Sequence, residues 1–98
     1  MAYVSYFQFF TELKQIISDV TLDMGYEDLK GEAFDKTYNN IINKLVQRCK
    51  SFADSSFRGE SKFVGAYIAD IRATKAYPQI DRMDKLACVT DDYIKRSV

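Results

Sequence analysis

Carboxylates at helical spacing and one hydroxyl-rich basic segment are where this sequence gathers groups capable of chemistry. Asp81 and Asp84 fall on one helix face, and Asp91 and Asp92 are adjacent. Paired carboxylates can work as acid and base or hold a hard cation. Arg82, Lys85, Lys95 and Arg96 stand among them, so surface ion pairs are the simpler expectation. The run from Asp19 to Asp23 has the look of a calcium loop. Its glycine, Gly25, falls at the seventh place instead of the sixth, and Lys30 occupies the twelfth, where a carboxylate is needed. That loop is rejected.

The basic segment runs from Lys44 to Lys62, with Lys44, Arg48, Lys50, Arg58 and Lys62 against Asp54 and Glu60. Lys44 and Arg48 are four apart and share a helix face. Ser55, Ser56, Arg58, Gly59 and Ser61 follow, just before a predicted helix. Hydroxyls, an arginine and free backbone N–H groups at a helix start suit a phosphate or another anion. Lys44, Arg48, Ser56, Arg58, Gly59 and Lys62 are therefore the candidate anion-binding residues. The order Gly-Glu-Ser-Lys is not a phosphate-binding P-loop, which needs Gly-Lys-Ser/Thr after an earlier glycine. A plain polar connection between helices explains the same residues.

Other chemistry is missing. The chain has no histidine, which excludes Ser-His-Asp and Cys-His arrangements. Its two cysteines, Cys49 and Cys88, form no C-x-x-C and no zinc site. Cys49 falls on an apolar stripe and is expected buried; Cys88 stands among Asp84, Lys85 and Asp91 and is expected exposed. No catalytic residue, metal ligand or cofactor is assigned, and the protein is expected not to be an enzyme.

The elements that carry these residues read as helices. Ninety-eight residues, 47% hydrophobic, with one proline and four glycines, support a single domain over 1–98. Tyr3, Tyr6, Phe10, Leu13, Ile17, Val20 and Met24 recur at alternating steps of three and four, the seam of a long amphipathic helix. It is predicted from Tyr3 to Met24, with Gly25 as its C-terminal cap. A second helix is predicted from Glu32 to Ala53, with Phe34, Tyr38, Ile41, Ile42, Leu45, Cys49 and Phe52 on its stripe. A third should begin near Ser61 and continue to Tyr77, with Phe63, Val64, Tyr67, Ile68 and Ile71 inward. A second face of small residues, Gly65, Ala69, Ala73 and Ala76, would let another helix approach closely. Pro78 ends it. The fourth helix, Gln79 to Lys95, has Ile80, Met83, Leu86, Ala87, Val89, Tyr93 and Ile94 on its stripe. The expected fold class is all-α, a small bundle of about four helices joined by short loops.

Charge is unevenly divided. Residues 1–35 hold two bases and seven acids, net −5; residues 36–98 hold twelve bases and seven acids, net +5. Such asymmetry suggests complementarity within one chain or between chains. No segment reaches the roughly 18 apolar residues of a membrane helix, and the first residues lack the pattern of a secretory signal. A cytoplasmic location, a host cytoplasm if the protein is viral, is expected.

Seven tyrosines and seven phenylalanines, with no tryptophan, are a heavy aromatic load. Tyrosine favours interfaces because its ring packs while its hydroxyl stays wet. Phe7 and Phe9 flank the first seam on opposite sides, more than one small bundle should cover. Tyr3, Tyr6, Phe7, Phe9 and Ile16 are the expected protein interface, and Phe10 is expected in the core. The pattern suits a helical interaction protein that binds another protein or itself, without a membrane. Its profile is that of a small adaptor, structural or inhibitor protein of viral or mobile-element type. The alternative is a nucleotide- or nucleic-acid-binding module using Lys44–Lys62, against which a pI near 6.2 argues.

Overall fold

Ser5 starts the first helix. Its backbone is extended, and its hydroxyl accepts the Gln8 N–H at 3.1 Å, satisfying one of the donors that a helix start leaves free. In the computed structural model, which describes residues 5–56 and 61–98 (backbone alone for 26, 53–56 and 61), four α-helices follow. They are α1 (Tyr6–Glu27), α2 (Gly31–Ser56), α3 (Ser61–Ala73) and α4 (Gln79–Arg96), with a 3-10 turn at Thr74–Ala76. No strand occurs among the described residues.

The all-α bundle is as the apolar periodicity predicts, with boundaries shifted at several ends. Gly25 does not cap α1 but lies inside it. The cap is Asp28, at φ 51°, ψ 48°, in the left-handed region that asparagine and aspartate tolerate better than most side chains. Gly31 opens α2 at φ 59°, where a Cβ would be strained. α2 runs to Ser56, beyond the expected end at Ala53. Pro78 both interrupts the third helical run and serves as the N-cap of α4, since the missing proline N–H costs a helix start nothing.

Side-chain pairs establish the topology. Phe9 of α1 stacks on Phe52 of α2, Tyr38 of α2 bonds Thr74 after α3, and Tyr67 of α3 bonds Thr90 of α4. Each helix thus runs opposite to the one before it. α1 packs most extensively along α4, with Phe10 beside Tyr93 and Lys14 bonded to Asp91. The bundle measures 41 × 22 × 21 Å.

One core draws on all four helices, and the stripe of α2 from Phe34 to Phe52 is buried throughout. Val46, which the stripe omitted, is buried too. Ile80, expected on the α4 stripe, is instead 87% exposed; it falls in the first turn of the helix. Gly65, Ala69, Ala73 and Ala76 are exposed. The smooth face of α3 points away from the core, so the close helix approach it would allow is not used within the chain.

Three buried tyrosines bring hydroxyls with them, and each finds a partner. Thr74 Oγ1 donates to the Ile71 carbonyl at 2.5 Å, so in the buried bond between Tyr38 and Thr74 the phenol is the donor. The same logic repeats higher up. Thr90 Oγ1 donates to the Leu86 carbonyl at 3.0 Å and accepts the Tyr67 hydroxyl at 2.8 Å. Tyr93 donates to Asp70 Oδ2 at 2.6 Å. At the opposite end Gln79 clasps the α1–α2 turn. Its Nε2 donates to the Gly31 carbonyl at 3.0 Å and its Oε1 accepts the Gly31 N–H at 3.3 Å. Gln79 and Arg82 also donate to Asp35 Oδ1, at 2.8 and 2.7 Å, and together hold the Asp35 carboxyl below its usual range.

Two expectations follow from the buried hydroxyls. Thr90→Val removes the acceptor of Tyr67 and should destabilise by about 1–3 kcal/mol. Adding Tyr67→Phe should recover much of that loss, as read by urea unfolding of the single and double variants. Burial raises the phenol pKa of Tyr38 and Tyr67, and burial with the Asp70 carboxylate raises Tyr93 to about 12. The folded state therefore prefers the protonated phenols. Their contribution is complete below the ordinary value of 10.0 and is lost as pH climbs, for Tyr93 by about pH 12. Unfolding midpoints should fall steeply across that window, and Tyr93→Phe should flatten the fall.

Candidate functional site

The aromatic segment of α1 is largely consumed by the core. Phe9 is a correction to the expected interface. It is 5% exposed and lies flat on Phe52, centroids 3.9 Å apart at 6°. Phe52, late on the α2 stripe, covers the side of the seam that seemed to need another chain. Tyr6 is half-buried, 5.0 Å edge-on from Phe63, and Ile16 is half-buried against the core. Phe7 is the exposed member of the expected interface, at 46%. Tyr3 lies outside the described residues. Phe10 is fully buried, as expected.

The carboxylate pairs are turned to other uses. Asp91 binds Lys14 at 2.6 Å, which ties α4 to α1, and Asp92 binds Arg96 at 2.8 Å. Arg82 turns to Asp35 of α2 instead of its neighbour Asp81. Asp81 and Asp84 lie exposed at the surface. Among the described residues, no group of three or more His, Cys, Asp or Glu side chains is placed to hold a metal ion. Cys49 is fully buried, and burial pushes its thiol up to about 12, so it stays protonated and unreactive. Cys88 is exposed. No described helix is long and apolar enough to cross a membrane.

What the fold does bring together is positive charge. α2 and α3 are packed neighbours. From Lys36 to Ala53 the chain holds no acid, and from Ser61 to Ala76 it holds Asp70 alone. Lys36, Lys44, Arg48, Lys50, Lys62, Arg72 and Lys75 are all exposed. Among the described residues none of these seven has an ion pair; the bridges are Lys14–Asp91, Lys30–Asp28, Arg82–Asp35 and Arg96–Asp92. Asp70 leans toward α4, where it accepts the Tyr93 hydroxyl. The negative charge gathers elsewhere. On α1, Glu12, Asp19, Asp23 and Glu27 are exposed, while the lysine of that helix, Lys14, is committed to Asp91.

Of the expected anion-binding residues, the structure thus places Lys44, Arg48 and Lys62 on this basic side. Arg58 and Gly59 lie outside the described residues, as does the side chain of Ser56. Lys36, Arg72 and Lys75 extend the surface and were missed. The signal for Lys36 was legible as the acid-free run of α2. That for Arg72 and Lys75 was not, since only packing sets α3 beside α2. No family model, curated protein or solved structure matches the chain.

The reassignment of α1 has a direct check. Phe9→Asp puts a carboxylate against the Phe52 ring and should unfold the domain or remove at least about 3 kcal/mol of stability. Phe7→Asp should leave a helical, cooperatively unfolding protein and lose no more than about 1 kcal/mol. Circular dichroism with urea titration distinguishes the two.

Proposed function

We propose that this is a non-enzymatic binding protein that works by presenting the α2–α3 basic side to an anionic partner. The observation that carries this is the set of seven exposed bases, none in an ion pair among the described residues, along two stretches that hold no acid from Lys36 to Ala53 and, from Ser61 to Ala76, Asp70 alone, itself bonded to Tyr93. Like charges crowded without counter-ions repel one another, and an anionic partner relieves that repulsion. Catalysis finds little support, since the sequence lacks histidine and the acids at helical spacing are ion-paired or exposed.

A second reading is supported by the acids of α1. Their charge is opposite to that of the α2–α3 side, so a second copy offers a matching surface. Such a contact joins two different patches and would extend head to tail, with charge setting orientation more than affinity.

Poly-L-glutamate tests the first reading as a plain anionic probe. Binding measured by titration at 50 mM salt should weaken at least tenfold at 200 mM. The double variant Lys44→Glu with Arg48→Glu should lose it while keeping its helical spectrum. Light-scattering mass in the same buffers decides on the second copy: an oligomer at low salt that becomes a monomer at high salt supports it, and a monomer in both rejects it.

A further inference from the structure

The solvent face of α2 has an order of its own. Lys36, Asn40, Asn43 and Gln47 succeed one another at steps of four, three and four, which draws a single line along the outside of the helix. Lys44 and Arg48 flank that line on one side, and Asn39 and Lys50 on the other. All eight are exposed. A ridge of amides thus stands between Lys44 and Arg48 on one margin and Lys50 on the other, on a helix of 26 residues.

This face lacks what a protein interface needs. Interfaces are built around buried aromatic or aliphatic anchors and are depleted of lysine. Between Lys36 and Ser51 every aromatic or aliphatic residue of α2 is buried, and the exposed ones are amides, bases and Ser51. Amides and bases are instead the groups that meet nucleic acid. Asparagine and glutamine pair with base edges, while lysine and arginine meet phosphates on either side.

Dimensions agree. A helix with its side chains is about 10–12 Å across, and the major groove of B-form DNA is about 12 Å wide. Lys44 and Arg48, one turn apart, stand about 6 Å from each other along the axis, on the same margin of the ridge. The exposed residues of the neighbouring α3 are mostly small, Gly65, Ala66, Ala69 and Ala73, with Lys62, Asp70 and Arg72 beside them. The whole-chain charge of zero is no obstacle, since Glu12, Asp19, Asp23 and Glu27 lie on α1, and the exposed acids at the start of α2, Glu32 and Asp35, precede the ridge.

We infer that the anionic partner is double-stranded DNA, with the Lys36–Gln47 ridge of α2 lying in the major groove and Lys44, Arg48 and Lys50 on the flanking phosphates. This rests on the anionic-partner reading of the same surface and narrows it to one macromolecule. The test is fluorescence anisotropy of a labelled 20-base-pair duplex and of the matching single strand, with unlabelled poly-L-glutamate measured alongside. Three phosphate contacts predict a roughly 40-fold loss of duplex affinity between 50 and 200 mM salt. Lys44→Glu with Arg48→Glu should weaken duplex binding at least tenfold with the helical spectrum unchanged. Lys95→Glu, on α4, should leave it within twofold. Asn43→Ala with Gln47→Ala should keep binding but narrow any difference in affinity between duplexes of different sequence. Binding of poly-L-glutamate without the duplex would overturn the inference and leave the anionic-partner reading standing, with an acidic protein as its occupant. Equal affinity for the single strand, or duplex binding indifferent to the Lys44 and Arg48 changes, would also overturn it. Failure of both probes would overturn the inference and the reading beneath it.

Discussion

Phe10 has no solvent exposure and lies where all four helices converge. Its ring is 4.9 Å from Tyr67 of α3, 5.5 Å from Tyr93 of α4 and 5.3 Å from Phe9, which in turn stacks on Phe52 of α2. Edge-on and tilted rings at these separations add attraction to the area they bury. Burying such a ring contributes about 1.5–3 kcal/mol, a large share of the stability a chain this size holds. Because these rings lock together at one end of the bundle, the seam of α1 closes within the chain. Everything the protein can offer a partner must then come from its polar exterior.

The aromatic core brings polar atoms with it. Tyr38, Tyr67 and Tyr93 are among the most buried side chains, yet none of their hydroxyls is stranded. Twice the solution is a threonine that passes its own proton to a carbonyl earlier in its chain and accepts the phenol. Each pair couples two helices at one height. A one-turn slip of α3 against α2 or α4 would leave a buried phenol without a partner, so these bonds set the register of the helices. Apolar packing alone tolerates such slips more readily. At the other end the Gln79–Gly31 clasp and the Asp35–Arg82 bridge fix where α2 and α4 begin.

With the core and register set, charge is sorted by side. α1, which lies along α4, carries the exposed acids Glu12, Asp19, Asp23 and Glu27, and its lysine is tied to Asp91. α2 and α3 carry bases without partners. Sorting of this kind contributes little to folding, since exposed charges interact weakly in water. It has a large effect on what the surface attracts. The amide line of α2 adds hydrogen-bonding groups that charge repulsion or solubility would not require.

Much of this was determined by the sequence itself. The stripes of α1 and α2, the core position of Phe10 and Cys49, the exposure of Cys88 and the break at Pro78 follow from local periodicity and backbone chemistry, which act within a few residues. The basic stretch of α2 was legible for the same reason. Tertiary structure alone decided the rest. Phe9 became core because Phe52, forty-three residues later, arrived to cover it. Ile80 was left outside because it falls in the first turn of α4, and Gly25 was passed over because Asp28 accepted the left-handed cap. The Tyr–Thr bonds pair residues 36 and 23 apart, with no local signal of their meeting. The aromatic seam and the basic helix look equally available when read along the chain. Packing assigns one to the interior and the other to the surface, because an apolar ring gains by leaving water and an unpaired charge does not.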